Sequence, residues 1–514
     1  EWCRSFLNPL FTTLPGSVNR AEGTMMMVPD GHVAHHSYDF DLVVIGGGLC
    51  GMAAAKEAAR LGARVALCDF SQQPSPPVAS AHQGHDETNV TCITHRLVHL
   101  GISLQELVTV HPSFYDSYTA PVDNTEQVQT AQTRWNVVKR NVQFCTRSLT
   151  KKYRNNLLEN SVQYFNKLAT FQDAHTLDVM DKEGVTSIIT SSRFLIAISG
   201  RPAPMDCPGG ELAITSDEIF SLEKNPGKTL CVGASFISLE CASVLAGLGN
   251  DVTVAVRSRV LRGLDQECAD RLCHIMKDAG VKFKMGVTLC KLEKVEDDKI
   301  KVTFSDGTDE LYDTVVSAIG RLANTDKLGL DSVNIKTNPT NKKIPTRLEQ
   351  TATPNIYAVG DVIEGCPELT PVAMYAGVNL VHRLFGGSTE AIEYVNICTT
   401  IFTPTEYACV GLSEDAAKEK FGENGIKVYH CALLPMEWLE LCPIQHIFSA
   451  FTKVIVDKMQ PPHVLGIHLL GRQAGKVIQR YGVLMRRGLS LREFMNTAGS
   501  HPLYIGDFCD LPFS

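Results

Sequence analysis

Two stretches of this chain repeat one pattern: a short apolar strand, a glycine-rich turn, a helix, a second strand, then a polar residue at the strand's end. The first is Asp41-Leu42-Val43-Val44-Ile45, then Gly46-Gly47-Gly48-Leu49-Cys50-Gly51, an alanine-rich helix to about Leu61, and Arg64-Val65-Ala66-Leu67-Cys68-Asp69. The second is Thr229-Leu230-Cys231-Val232, then Gly233-Ala234-Ser235, a helix to about Leu248, and Val252-Thr253-Val254-Ala255-Val256-Arg257. Each unit builds parallel sheet and offers a nucleotide site at its first turn. Two in one chain predict an α/β protein with two Rossmann-like dinucleotide-binding domains. Two further strands end on glycine, over residues 313–320 (closing on Gly320) and 355–361.

In the first turn the spacing Gly46-x-Gly48-x-x-Gly51 follows a strand and opens a helix. Gly46 permits the tight turn, Gly48 lets the backbone approach a pyrophosphate, and Gly51 allows close helix packing. The helix N-terminus then attracts the anion. Asp69, at the end of the next strand, is placed to accept ribose hydroxyls. Gly360-Asp361 supplies a second contact to the same cofactor. Shortly after it, Thr370 reads as an N-cap and Pro371 as the first helical residue. The positive end of that helix would face the electron-rich edge of a flavin.

The second turn is looser. Gly233-Ala234-Ser235-Phe236-Ile237-Ser238 keeps the first glycine and has Ser238 at the third fingerprint position. The sharper signal ends the next strand. An acid there would read a free 2′-hydroxyl, as in NADH; this chain has Arg257-Ser258-Arg259 and then Arg262. Guanidinium groups hold a 2′-phosphate by paired hydrogen bonds, which points to NADPH. The plainer reading is a solvated basic loop.

The 514 residues suggest about three domains. From about residue 393 strand-like runs (397–402, 449–456, 464–470) mix with a helix (474–488), which reads as an α+β domain. A net charge of -8 argues against a nucleic-acid surface. No apolar run approaches the roughly 20 residues that span a bilayer. The 17 cysteines are scattered through apolar stretches, a pattern of reduced intracellular thiols, so the cytoplasm is expected, ahead of the mitochondrion. Cys268 and Cys273 lie on one predicted helix, where five residues turn through roughly 500°, so they point about 140° apart and do not pair. The sequence begins with Glu1 and reads as a fragment whose residues 1–38 form a disordered leader.

The stretch from Tyr38-Asp39-Phe40-Asp41 to Lys56-Glu57-Ala58-Ala59 resembles the opening of animal thioredoxin reductases. So do residues 227–249, 252–266 and 356–376, and the run Phe402-Thr403-Pro404-x-Glu406-Tyr407 to Gly411-Leu412-Ser413-Glu414. The similarity extends from residue 38 to about 503 and reaches the wider glutathione-reductase-like group. It implies a FAD domain over 39–202 and 322–392, an NADPH domain over 203–321, and an interface domain over 393–514 that forms a homodimer. It also implies thioredoxin, or a small disulfide or quinone, as the electron acceptor.

The resemblance breaks at the chemistry. The family carries two cysteines in Cys-x-x-x-x-Cys; this chain reads Glu87-Thr88-Asn89-Val90-Thr91-Cys92. Cys92 matches the flavin-side cysteine and Glu87 takes the place of the other, so no disulfide forms there. Asp86 and Glu87 add negative charge beside a pyrophosphate and should weaken FAD binding. His95 replaces a lysine that supports the flavin, although that lysine's partner is kept as Glu240. Phe236 replaces a gating tyrosine. His501-Pro502 matches the family's acid–base histidine, but Gly506 stands where a glutamate would orient it. No counterpart of the animal enzymes' redox tail is found before Ser514, where Cys509 is the nearest thiol. Three readings stay open: an NADPH-dependent flavoprotein working without a dithiol, a single-cysteine enzyme using Cys92, and a nucleotide-bound protein that turns nothing over.

Overall fold

The structure, a computed structural model, describes residues 37–70, 131–403, 405–433 and 450–496. Strand Leu42–Ile45 is the centre of a five-stranded parallel sheet. The strand order is Ile356–Ala358, Phe194–Ile196, Leu42–Ile45, Val65–Cys68, Gln163–Phe165. All four residues of the central strand are buried because both faces of the sheet are covered. Leu42 and Val44 face a layer holding Ala54, Ala55 and Ala58 of helix Leu49–Arg60 and Leu380 and Leu384 of helix Thr370–Phe385. Val43 and Ile45 face the opposite layer, with Phe171, Leu177 and Phe194.

The chain leaves this unit and returns to it along a two-stranded antiparallel ribbon, Gly200–Pro202 with Arg321–Ala323, in which Arg201 pairs with Leu322. Between them lies a second parallel sheet in the order Lys282–Met285, Val252–Val256, Thr229–Val232, Thr314–Ser317, Ile214–Thr215. Its helix Phe236–Gly247 is buried from Ser238 through Leu245. One side meets its own sheet, and the same apolar cluster takes in Tyr407, Phe451 and Leu470 of the third unit.

That third unit is a five-stranded antiparallel sheet, Thr399–Ile401, Glu406–Gly411, Val464–Gly471, Ala450–Asp457, Ile426–Leu433, with helices Glu414–Phe421, Ala474–Arg486 and Leu491–Met495. The α/β architecture with two parallel sheets and an α+β unit is the one expected from the sequence.

Helix Ala131–Glu159 bridges the first two units. Near its start Trp135 stacks on Phe220 with ring centroids 5.9 Å apart, and its Nε1 donates to Leu222 O at 3.2 Å. Near its end Leu157 packs in the first unit. Among the described residues no helix is long and apolar enough to cross a membrane.

One expectation is corrected. Thr370 is not the N-cap of its helix: Leu369 is, with an extended backbone, and Thr370 is the first helical residue. The first rung of the ladder runs from Ala373 N to Leu369 O (3.0 Å), so the helix starts one residue earlier than the threonine suggested.

Candidate functional site

The first glycine turn is built by close backbone contact. Gly46 has φ +115°, and a Cβ there would lie 2.5 Å from Ala197 O. A Cβ on Gly51 would lie 2.0 Å from Gly46 O, so the helix starts directly on the turn. Gly48 is its N-cap, with no side-chain cap and no acid in the first turn. The first-turn N–H groups therefore remain available as donors to an anion. Asp69 Oδ1 accepts from Gly47 N at 2.9 Å, and Tyr164 Oη donates to Oδ2 at 3.4 Å. Asp69 thus braces the turn, a role its sequence position did not announce. An ionised carboxylate has about four lone-pair sites, so capacity for ribose hydroxyls remains.

Helix Thr370–Phe385 packs on helix Leu49–Arg60. Gly377 sits against Ala54, and the buried Cys50 thiol donates to Ala373 O at 3.0 Å. The second helix also lacks a side-chain cap and a first-turn acid. Two uncapped N-termini therefore lie in helices held side by side. Asp361, in the short turn Gly360–Val362 that follows strand Ile356–Ala358, has Ser199 Oγ as its hydrogen-bond partner, at a long 3.4 Å. Burial, then the neighbouring Glu368, raises its pKa above the ordinary carboxylate value. This half-buried acceptor beside the uncapped turn fits a polar cofactor carrying a pyrophosphate and hydroxyls. Burial pushes the Cys50 thiol far up and Cys366 up to about 11, so neither is a thiolate near neutral pH.

The second turn copies the first. A Cβ on Gly233 would meet Ala318 O at 2.3 Å, and Ser235 is the N-cap of helix Phe236–Gly247, again without a side-chain cap. Phe236 is the first residue of that helix, and Gly320, two residues past Ala318, has φ +132° and open space beside it. Arg257, Arg259 and Arg262 are exposed on the loop after strand Val252–Val256, and Arg262 Nη2 donates to Ser258 Oγ at 3.0 Å. Ser238 is fully buried with no hydrogen-bond partner for its hydroxyl, the local cost of a serine at the third fingerprint position.

Glu240 is buried on the same helix, and its Oε1 accepts from Phe402 N at 2.9 Å, tying the second unit to the third. Cys92, His501, Glu87 and His95 lie outside the described residues. Cys268 and Cys273 are both buried free thiols on helix Gln266–Asp278. What the sequence reading missed is the charge cluster around Lys453, a lone lysine in a fully buried strand; that mismatch was the available signal.

Two nucleotide cradles of this geometry, joined to an antiparallel unit, define a two-dinucleotide oxidoreductase. Residues 40–377 match the pyridine nucleotide-disulphide oxidoreductase family, and residues 397–508 match that family's dimerisation domain. The chain belongs to this family. Within it the chain is thioredoxin-reductase-like. It is 40% identical over 483 residues to thioredoxin reductase SEP1 of Emiliania huxleyi, covering 91% of this chain and 94% of that protein. It is 39% identical over 482 residues to mitochondrial thioredoxin reductase 2 of Drosophila melanogaster, covering 92% and 91%. The cofactors of this class are FAD and NADPH, and the dimerisation domain makes the assembly a homodimer.

Proposed function

We propose that this protein is an NADPH-dependent FAD oxidoreductase that passes electrons to small acceptors such as quinones, with disulfide reduction severely impaired. The observation that carries the reading is the contrast between two well-formed nucleotide turns and a redox pair that reads Glu87 and Cys92. When bound, FAD supplies the two-electron chemistry and NADPH the electrons. The chain's residues supply binding and orientation. Gly46, Gly48 and Gly51 admit the pyrophosphate of FAD, Asp69 and Asp361 accept its hydroxyls, and the helix beginning at Thr370 stabilises negative charge. Gly233, Ser235, Phe236 and Gly320 shape the NADPH cleft, and Arg257 and Arg262 take the 2′-phosphate. In this reading residues 39–202 and 322–392 form the FAD unit, 203–321 the NADPH unit and 393–514 the interface unit. Thirteen free thiols and no disulfide among the described residues suit a reducing compartment such as the cytoplasm.

A glutamate cannot accept electrons as a sulfur, and its charge disfavours ionisation of a nearby Cys92 thiol. The test is NADPH consumption by the FAD-loaded protein with a quinone, and separately with thioredoxin plus insulin. The natural chain should reduce the quinone, and Cys92→Ser should leave that rate unchanged. Thioredoxin turnover should be at least about 100-fold below the quinone rate, since a bond-forming partner of the relay is missing. Glu87→Cys should restore a long-wavelength thiolate–flavin absorbance band. Thioredoxin turnover that Cys92→Ser abolishes would support the single-cysteine enzyme instead. A protein that holds FAD but is not bleached by NADPH would be a passive binder.

A further inference from the structure

Lys453 is buried to 1% exposure on strand Ala450–Asp457 of the interface unit. Its Nζ meets three carboxylates: Asp265 Oδ1 at 3.0 Å, Glu267 Oε2 at 3.1 Å and Glu414 Oε2 at 2.6 Å. The first two belong to the second nucleotide unit, the third to the interface unit. Glu267 is also held by Arg271 (3.1 Å) and His430 (2.9 Å), and Glu414 by Lys418 (2.9 Å). Among the described residues Lys453 is the one cation in ion-pair contact with Asp265. Asp265 is equally buried and works at both ends: Oδ1 accepts from Cys268 N (3.2 Å), capping helix Gln266–Asp278, and Oδ2 accepts from Glu414 N (3.1 Å). Burial alone would push the Lys453 ammonium down, but the hydrogen bonds to Glu414 and Asp265 outweigh it and keep it charged.

Residues 257–264, immediately before Asp265, carry the arginines beside the second nucleotide turn. The loop is pinned in its middle, where Leu261 N donates to Ala234 O of that turn at 2.8 Å. Its exit is pinned at Asp265. Arg262 lies between these two fixed points. We infer that Lys453 is a positioning residue for coenzyme recognition: by clamping Asp265 it fixes the exit of the loop so that Arg262, beside Arg257, meets the 2′-phosphate of NADPH. The inference rests on those arginines being the phosphate readers. A guanidinium–phosphate contact is planar and paired, so it is lost when the loop shifts by a fraction of its length. NADH has no 2′-phosphate, so its binding draws on the loop's setting less than that of NADPH does.

The test compares dissociation constants on FAD-loaded full chain by fluorescence quenching, with the oxidised forms NADP+ and NAD+ standing for NADPH and NADH because they differ by the same 2′-phosphate and do not reduce the flavin. The variants are Lys453→Met, Lys453→Arg, Asp265→Asn and the Arg257→Ala/Arg262→Ala double. Lys453→Met and Asp265→Asn should weaken NADPH about tenfold or more, because small misplacements cost that much, with NADH changed less than about twofold. Lys453→Arg should retain most of the NADPH affinity. Asp265→Asn keeps an acceptor for the helix cap, so it carries the test should Lys453→Met not fold. Unchanged NADPH affinity in both variants, while the double arginine variant weakens it, overturns the inference. So does an equal loss for both coenzymes. A double arginine variant that keeps the NADPH preference shows instead that the arginines are not the readers, and the inference falls with them.

Discussion

Asp361 is held at a cost to the protein without cofactor. Burial, then Glu368, raises its folded pKa above 3.8, so the folded chain binds this proton more tightly than the unfolded one. Its contribution therefore lowers stability as pH rises through the raised pKa. Asp361→Asn should raise the melting temperature of cofactor-free protein at pH 7, and the gap should close as pH falls below about 4, where the unfolded carboxyl also protonates. The same change removes the charged acceptor proposed for FAD and should weaken FAD binding by about 1.5–3 kcal/mol. Thermal melts across pH with a flavin titration check both halves; an Asn variant less stable than the natural chain at pH 7 would refute the burial argument. The place of Asp361 after an apolar strand is legible in sequence because the run Ile356-Tyr357-Ala358-Val359 breaks at Gly360. Asp265 and Lys453 were not, because they stand 188 positions apart and neither neighbourhood names the other.

The paired helices Leu49–Arg60 and Thr370–Phe385 bring the two uncapped N-termini together. Gly377 lies at a tight contact between the helices: a Cβ there would lie 3.2 Å from Ala54 Cβ and 3.4 Å from Cys50 O. Gly377→Leu should force the helices apart, lower stability by about 1–3 kcal/mol through overpacking, and reduce FAD affinity because the two N-termini separate. Urea denaturation gives the first quantity and flavin fluorescence the second; unchanged affinity would show that helix separation does not matter to the cofactor. Elements of this unit were readable because their strands are continuous apolar runs and their turns are glycine-rich. Strand Thr229–Val232 lies at the expected residues, and helix Ala474–Arg486 ends two residues short of the expected end. Helix Ala131–Glu159 was not readable. Phe144 and Leu158 are exposed on it while Thr146 is buried, so its apolar pattern does not mark its packed face. The exposed serine–arginine loop after strand Val252–Val256 could be located from sequence, but the clamp on its far end belongs to another unit.

At the scale of the molecule, the unit that carries the family's dimerisation domain also holds the exit of the arginine loop through Lys453 and Asp265. Helix Ala474–Arg486 presents Val483 at 63% exposure and Leu484 at 45%. A cavity of about 480 Å³ beside it is lined by Val477, Tyr481, Leu484, Leu489 and Phe494 together with the charged Arg480, Arg487 and Glu493. Apolar side chains left this open on a family dimerisation domain are expected to be covered by the second copy. In a two-fold interface each residue acts twice, once from each side. Fully burying a Leu side chain contributes about 1.5–3 kcal/mol, and Leu484 keeps 45% of its surface to be covered, so replacing it by Asp should cost about 1.5–3 kcal/mol per dimer before the charge penalty is added. That is roughly tenfold to a hundredfold in the dimer dissociation constant. Sedimentation of the natural chain at micromolar concentration should give the dimer mass, and Leu484→Asp should shift it toward the monomer. Val483→Asp should do the same if the interface wraps the helix. If Leu484→Asp leaves the dimer mass unchanged down to nanomolar concentration, the two-fold contact lies on another face of the interface unit.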